Sequence, residues 1–429
     1  MSKSAHLLPA GWTSSTLGSV AAVNPSRKTP ESESEMVSFL AMGDISEDGH
    51  VQTKQVRTYE EVATGFTSFT DGDVLVAKIT PCFENGKGAL VAGLLGGLGY
   101  GSTEFHVLRA NSAVVTPAFI YWVTRTDAFR LEGERNMLGS AGQKRVPTDF
   151  LRRYPIKVPT IREQHEIAAL LKAVDNKLVL IARQIEATQT LRQGLTQSLF
   201  ERGVGTQDAA GGWTPHAQFS KRGSGARPST WQFLRMGDIA PVIRREVDVQ
   251  TSESYPELGL RSFGKGTFHK PALNGKEVGS KRLFVIKAGD LLLSNVFAWE
   301  GAIAVAGPVD HGRYGSHRYI TCNVDPGMAN VHFIARYLVT PAGLTSVGLA
   351  SPGGAGRNKT LGLSALADIR VPVPPLAEQN AINEVLTCVE TKIAALQTKH
   401  RHYKAVKRGL MQKLLTGEWR VMFDAEIAA

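Results

Sequence analysis

The sequence predicts a mixed α and β fold made twice. It has two globular domains plus two long helices forming an antiparallel coiled coil, related by a pseudo-two-fold internal repeat. Three features predict it: motifs that recur at about half the chain length, short β-branched runs between glycine turns, and two long stretches of helical periodicity. Trp12-x4-Leu17-Gly18 echoes Trp231-x4-Met236-Gly237, and Gly72-Asp73 echoes Gly289-Asp290. Tyr100-Gly101-Ser102 echoes Tyr314-Gly315-Ser316, and Phe119-Ile120 echoes Phe333-Ile334. Gly139–Gly142 echoes Gly353–Gly356, Val158-Pro159 with Glu163-Gln164 echoes Val373-Pro374 with Glu378-Gln379, and Gly194-Leu195 echoes Gly409-Leu410. Seven collinear pairs whose offset stays between 214 and 219 mean two copies of one unit. The period is far too long for a solenoid.

In each copy the first part reads as a mixed globular domain. Phe39–Met42, Val74–Ile79 and Phe105–Leu108 have strand composition, as do Leu283–Ile286, Leu291–Leu293 and Tyr319–Val324. One amphipathic helix is expected over Phe119–Leu131, with Val331–Leu338 as its counterpart. After Pro159, and again after Pro375, roughly forty residues carry no proline. Ile167, Leu171, Val174, Leu178, Ile181 and Ile185 then step by three and four. The second series is Ile382, Leu386, Val389, Ile393, Leu396, Tyr403, Val406 and Leu410. Such a helix is about 60 Å long and needs a partner for its stripe; the other helix supplies one. The expected order is a first domain over 1–158, a helix over 159–203 and a flexible Gly/Ser-rich linker over 204–230. A second domain over 231–373, a helix over 374–419 and a tail over 420–429 follow.

Composition restricts the function. The 429 residues hold 49 Lys+Arg against 39 Asp+Glu, a formal charge of +10, which permits a polyanionic partner without requiring one. Cys82, Cys322 and Cys388 are far apart, so neither a zinc site nor a disulfide framework is expected. Met1–Gly11 lacks the apolar core of a signal peptide, and glycines interrupt the apolar run Gly88–Gly101, so no membrane span and a cytoplasmic location are expected.

Catalytic patterns are missing. There is no Gly-x4-Gly-Lys-Ser/Thr loop, and Gly96–Gly101 lacks dinucleotide-binding spacing and reads as a flexible turn. Asn24-Pro25-Ser26 and Val373-Pro374-Pro375-Leu376 lack the residues of an amino-methyltransferase loop, and Glu84-Asn85-Gly86-Lys87 has the wrong spacing for a metal-dependent nuclease. His165 and His400 read as solvated or interface helix positions, and Gly72-Asp73 and Gly289-Asp290 as turns before strands.

Recognition chemistry is present. Gly139–Arg145 corresponds to Gly353–Lys359: small residues that let backbone approach a surface, then amides and cations. Gln or Asn suits adenine, and Arg or Lys suits guanine and phosphate. The frame repeats while the reading groups change from Gln143, Lys144 and Arg145 to Arg357, Asn358 and Lys359, as two readers of different sequences require. Tyr100 and Ser102, with Arg313, Tyr314, Ser316 and Arg318, interleave hydroxyl, aromatic and basic groups, the tyrosines suiting the core equally well, and Lys78 and Asn295 complete the DNA-binding candidates. The basic end of the second helix (Lys399, Arg401, Lys404, Lys407, Arg408, Lys413) reads as a solvated face.

Pro374-Pro375-Leu376-Ala377-Glu378-Gln379, a long helix and the closing Leu410–Gly417 resemble the signature of the specificity subunit of type I restriction–modification enzymes. Val158–Gln164 through Gly194–Phe200 resembles a degraded copy, with Pro-Thr in place of Pro-Pro and Phe200 in place of Leu415-Thr416-Gly417. The resemblance covers nearly the whole chain. It implies two target recognition domains on double-stranded DNA, each reading half of a bipartite asymmetric site, with the paired helices setting the gap. It also implies a non-catalytic chain that docks two modification subunits and, through them, restriction subunits. S-adenosylmethionine, ATP and Mg²⁺ would then sit on those partners, with no cofactor or metal in this chain. Pro159, Glu163, Gln164, Pro374, Pro375, Glu378, Gln379 and Gln412 are the candidate partner-docking residues. The competing expectation is a scaffold whose twin domains bind proteins, or an unrecognised nuclease or methylase.

Overall fold

The computed structural model describes residues 8–140, 142–222, 225–353 and 359–421. The chain forms two compact units, one of residues 1–183 and 397–429, the other of residues 184–396. The boundaries fall inside the two long helices, Ile161–Arg202 and Leu376–Leu414, so each unit owns half of each helix.

In the first unit, Ala21–Val23, Phe105–Ala110, Val74–Ala77 and Gly88–Leu90 form an antiparallel sheet in that order. A second sheet runs Gln55–Thr58, Met36–Leu40, Leu98–Gly101, Thr67–Thr70, with its central pair parallel. Thr13–Thr16 pairs with Pro155–Val158, which leads into the first long helix. The second unit repeats this plan. Tyr319–Cys322, Leu291–Ser294 and Ile303–Val305 form the first sheet. The second runs Glu246–Val247, Leu283–Val285, Tyr314–Ser316, Ser254–Leu260, Thr267–Asn274, again with one parallel pair, Tyr314 beside Glu257. Gln232–Arg235 pairs with Arg370–Val373. The repeat read in the motifs is therefore a repeat of strand order.

The helix expected over Phe119–Leu131 is two helices, Pro117–Thr124 and Asp127–Arg135. The first ends at Thr124 with Arg125 as its C-cap, and Thr126 caps the second, its side chain accepting from the Phe129 amide at 3.2 Å. The counterpart Val331–Leu338 is as expected, but a second helix, Pro341–Leu349, follows it. The run Gly96–Gly101 is only partly a turn: Leu98–Gly101 is a strand. A Cβ at Gly101 would come within 2.3 Å of the Leu40 carbonyl, so the parallel pairing needs glycine there. The 204–230 segment corrects the linker expectation. Thr206–Gln207 pairs with Trp213–Thr214, and Phe219–Arg222 with Gly225–Pro228, so it contains two antiparallel strand pairs.

Each unit has its main core where its helix halves meet its first sheet. In the first unit Ile167 and Leu171 share a buried cluster with Met411, Leu414, Leu17, Phe119 and Phe129. Asp175 pairs with Lys407 and Glu163 with Arg420, so the chain directions oppose. In the second unit Leu199 and Phe200 share a cluster with Ile382, Leu386 and Phe333. There the amides of Val204 and Gly205, just past the first helix, meet Glu378 at the start of the second, which is again antiparallel. Val406, read as part of the stripe, is exposed.

Candidate nucleic-acid interface

The strand Val74–Ala77 ends at Lys78, whose amide donates to the Glu104 carbonyl at 2.8 Å. Its ammonium donates to the Thr103 carbonyl at 2.7 Å, and burial lowers its pKa. The Gly139–Arg145 loop lies against the same strand end: Thr80 N–H donates to Lys144 O at 3.0 Å, and Val146 N–H to Lys78 O at 2.9 Å. Arg145 and Leu138 exchange both backbone hydrogen bonds, at 2.8 and 3.0 Å. The fold thus brings Lys78, Ser102, Gln143, Lys144 and Arg145 to one place. Gln143 and Lys144 are exposed, and Lys144 has no side-chain hydrogen bond or ion pair among the described residues. Ser102 is half-buried and its hydroxyl accepts from the Glu104 amide at 3.2 Å. Arg145 is exposed but pairs with Glu104 at 2.8 Å, which raises its pKa.

Beneath this surface lies His106, 2% exposed, with Nε2 at 2.8 Å from the Val146 carbonyl and Nδ1 at 3.1 Å from the Asn24 amide. Burial lowers its pKa to about 4. Tyr100 is corrected. Its ring is in the core, its hydroxyl donates to the Lys28 carbonyl at 2.6 Å, and it presents nothing to a ligand.

The second unit builds the same corner with other groups. Asn295 N–H donates to the Arg318 carbonyl at 2.9 Å, and Leu361 N–H to the Asn295 carbonyl at 2.7 Å. Lys359 bridges to Gly353 and lies 5.0 Å from the Trp299 ring. Arg318 is exposed. Asn295 keeps its side-chain carbonyl buried and without a hydrogen bond among the described residues, so that atom is not at the surface. Arg313, Tyr314 and Ser316 belong to the neighbouring strand region. Tyr314 packs edge-on against Tyr255 at 5.1 Å, which makes its ring a core element. Arg313 and Ser316 are half-buried. Arg357 and Asn358 lie outside the described residues.

Superposing the two chain patterns exposes a residue that sequence reading missed. Glu104 and Arg318 hold equivalent places, as do Lys78 and Asn295 in the same hydrogen-bonding register. The signal is their offset of 214 residues, the same as that between Arg145 and Lys359. An acid faces the loop cation in one unit, and a base holds that place in the other.

The motif residues expected to dock partners are mostly internal. Glu163 is fully buried and accepts from Trp12 Nε1 at 3.0 Å and from Arg420 at 2.7 and 3.0 Å. Glu378 accepts from Trp231 Nε1 at 3.0 Å, His216 at 2.9 Å and the amides of Val204 and Gly205. Gln164 accepts from Thr116 N–H at 2.7 Å and donates to the Val114 and Pro159 carbonyls. Gln379 accepts from Asn330 N–H at 2.7 Å and donates to Met328 and Pro374. These residues rivet each helix start to its own globular part, because a buried polar group needs every partner it can reach. Pro159 and Pro374 are buried with them, while Pro375 and Gln412 remain exposed.

Asp73 and Asp290, read as turn residues, are so placed. Each accepts from a turn amide at 2.7 Å and is held by an arginine, Arg109 or Arg245. Among the described residues no His/Cys/Asp/Glu cluster suits a metal ion, and no helix is long and apolar enough to cross a membrane.

Comparison with known proteins agrees with this architecture. A family described as "Type I restriction modification DNA specificity domain" matches residues 9–189 and 228–402, once per copy. The Escherichia coli type I restriction enzyme EcoEI specificity subunit is 39% identical over 196 residues, 45% of this chain and 32% of that protein. The EcoAI specificity subunit, also from Escherichia coli, is 37% identical over 201 residues, 46% of this chain and 33% of that protein. The matched stretch is thus about a third of either relative's length. Among solved structures, the S subunit of a type I restriction–modification system from M. genitalium aligns with a TM-score of 0.55 at 15% identity. That alignment covers 96% of this chain and 98% of the other, a likeness of fold.

Proposed function

Since the chain belongs to the type I restriction modification DNA specificity family, we propose that it is the non-catalytic subunit that gives such a complex its DNA target. Each unit reads one half of a bipartite asymmetric site. The long helices set the gap and offer docking surface to two adenine-N6 modification subunits, through which restriction subunits join. S-adenosylmethionine, ATP and Mg²⁺ belong to those partners.

The observation that supports this most is the duplicated corner with unlike groups. One unit presents Gln143, Lys144 and Arg145 beside Lys78; the other presents Lys359 and Arg318 beside Trp299. One frame carrying two sets of hydrogen-bonding groups suits two different half-sites. The excess of ten positive charges suits a polyanion.

The test is coexpression with a cognate modification subunit and genome-wide mapping of methylated adenines. A single bipartite motif with a fixed gap is expected. Duplex binding that does not weaken as salt rises would favour the protein-binding scaffold instead, because phosphate contacts release counterions.

A further inference from the structure

We propose that Arg145 reads a guanine in the half-site of the first unit and that Glu104 is its positioning residue. The inference rests on the DNA-recognition reading above and adds a base and an atomic edge to it.

The argument counts hydrogens. A guanidinium has five N–H groups in a fixed plane. In Arg145, Nε lies 3.1 Å from both Glu104 carboxylate oxygens and Nη2 lies 2.8 Å from Oε1. Nη1 donates to the Gln143 carbonyl at 3.2 Å. Three N–H groups are therefore committed, which leaves one N–H on each Nη, two donors on neighbouring nitrogens of one plane. No other hydrogen bond engages them among the described residues. A donor on each of two neighbouring guanidinium nitrogens suits O6 and N7 of guanine, the commonest specific pairing in the major groove.

The mounting is stiff at both ends. Backbone exchange with Leu138 fixes the Arg145 main chain, and the Thr80 amide holds the preceding carbonyl. The carboxylate fixes the far end of the side chain. A free surface arginine loses rotamer entropy when it binds; a clamped one has lost most of it already. The pair is half open to solvent, with Arg145 at 47% and Glu104 at 26% exposure, so the free edge is reachable. Among the described residues the second unit shows no such clamp, since Arg318 stands in the place of the acid and Lys359 is a point charge without a fork.

The experiment uses the full chain coexpressed with its modification subunit, comparing wild type, Arg145→Lys and Glu104→Gln. Lysine keeps the charge for a phosphate but loses the two-pronged edge. Glutamine keeps the size but loses the charge of the clamp. The wild-type methylome should show a G·C pair at one position of one half-site. In both variants that position should become degenerate, while the other half and the gap stay fixed, which also reports a folded subunit. In binding to duplexes carrying each base pair there, the preference for guanine should fall roughly 10- to 100-fold in Arg145→Lys and less in Glu104→Gln. Unchanged motifs and preferences in both variants would overturn the inference, as would uniform weakening on all duplexes with the preference kept. A wild-type methylome without a bipartite motif would instead overturn the underlying reading.

Discussion

His106 shows what one buried residue does to the corner above it. Its imidazole is neutral in the folded chain because burial lowers its pKa from 6.5 to about 4. Below pH 6.5 the unfolded chain binds the proton more readily, so stability falls as pH drops towards about 4 and then levels off. The full effect is on the order of 3 kcal/mol. Urea unfolding at pH 7.5 and pH 5 should therefore show a larger loss for wild type than for His106→Gln; equal losses would remove His106 from the account. Other residues were less legible in sequence. Glu163 and Glu378 are docking candidates through the motif that carries the resemblance. Burial reverses that reading, since each finds a tryptophan N–H from the start of its own copy. The clue was available in that Trp12 and Trp231 recur in step with them, but a pairing across 151 residues is not visible in local pattern. Tyr100 failed differently: an aromatic beside glycine and serine reads equally as surface or core, and only the sheet decides.

At the level of elements, the long helices were the most legible part, because periods of three and four persisted over many turns without proline. They span 42 and 39 residues. The break between Thr124 and Asp127 was not seen, since a threonine that caps a new helix looks like any helix residue until its hydroxyl is placed. The strand pairs of 204–230 are hidden by small residues, which suit a turn and a linker alike. Helix packing makes a direct prediction. Leu171 is fully buried in the first unit's core, so Leu171→Ala should cost about 2–5 kcal/mol in urea or thermal unfolding. A loss below 1 kcal/mol would mean the helix half is not part of that core. If the helices set the gap, adding one turn to both should lengthen the spacer in the methylated motif and leave both half-sites as they were. An unchanged gap in that variant's methylome would refute this.

For the whole molecule, the internal repeat carried most of what sequence could reveal. Collinear pairs implied two copies of one fold, and both units show the same strand order, down to one parallel pair in each. The repeat could not reveal how the copies differ in chemistry, because Glu104 and Arg318 acquire meaning only when they face a loop. Arg357 and Asn358 lie outside the described residues, so the second reading loop rests on Lys359 and Arg318. The central claim is that each globular unit independently addresses one half of the target. The most direct measurement replaces residues 8–158 with the corresponding domain of a relative, keeps both long helices, and maps methylated adenines with the same modification subunit. One half of the motif should change while the other half and the gap persist; a motif that changes in both halves, or in neither, contradicts the account.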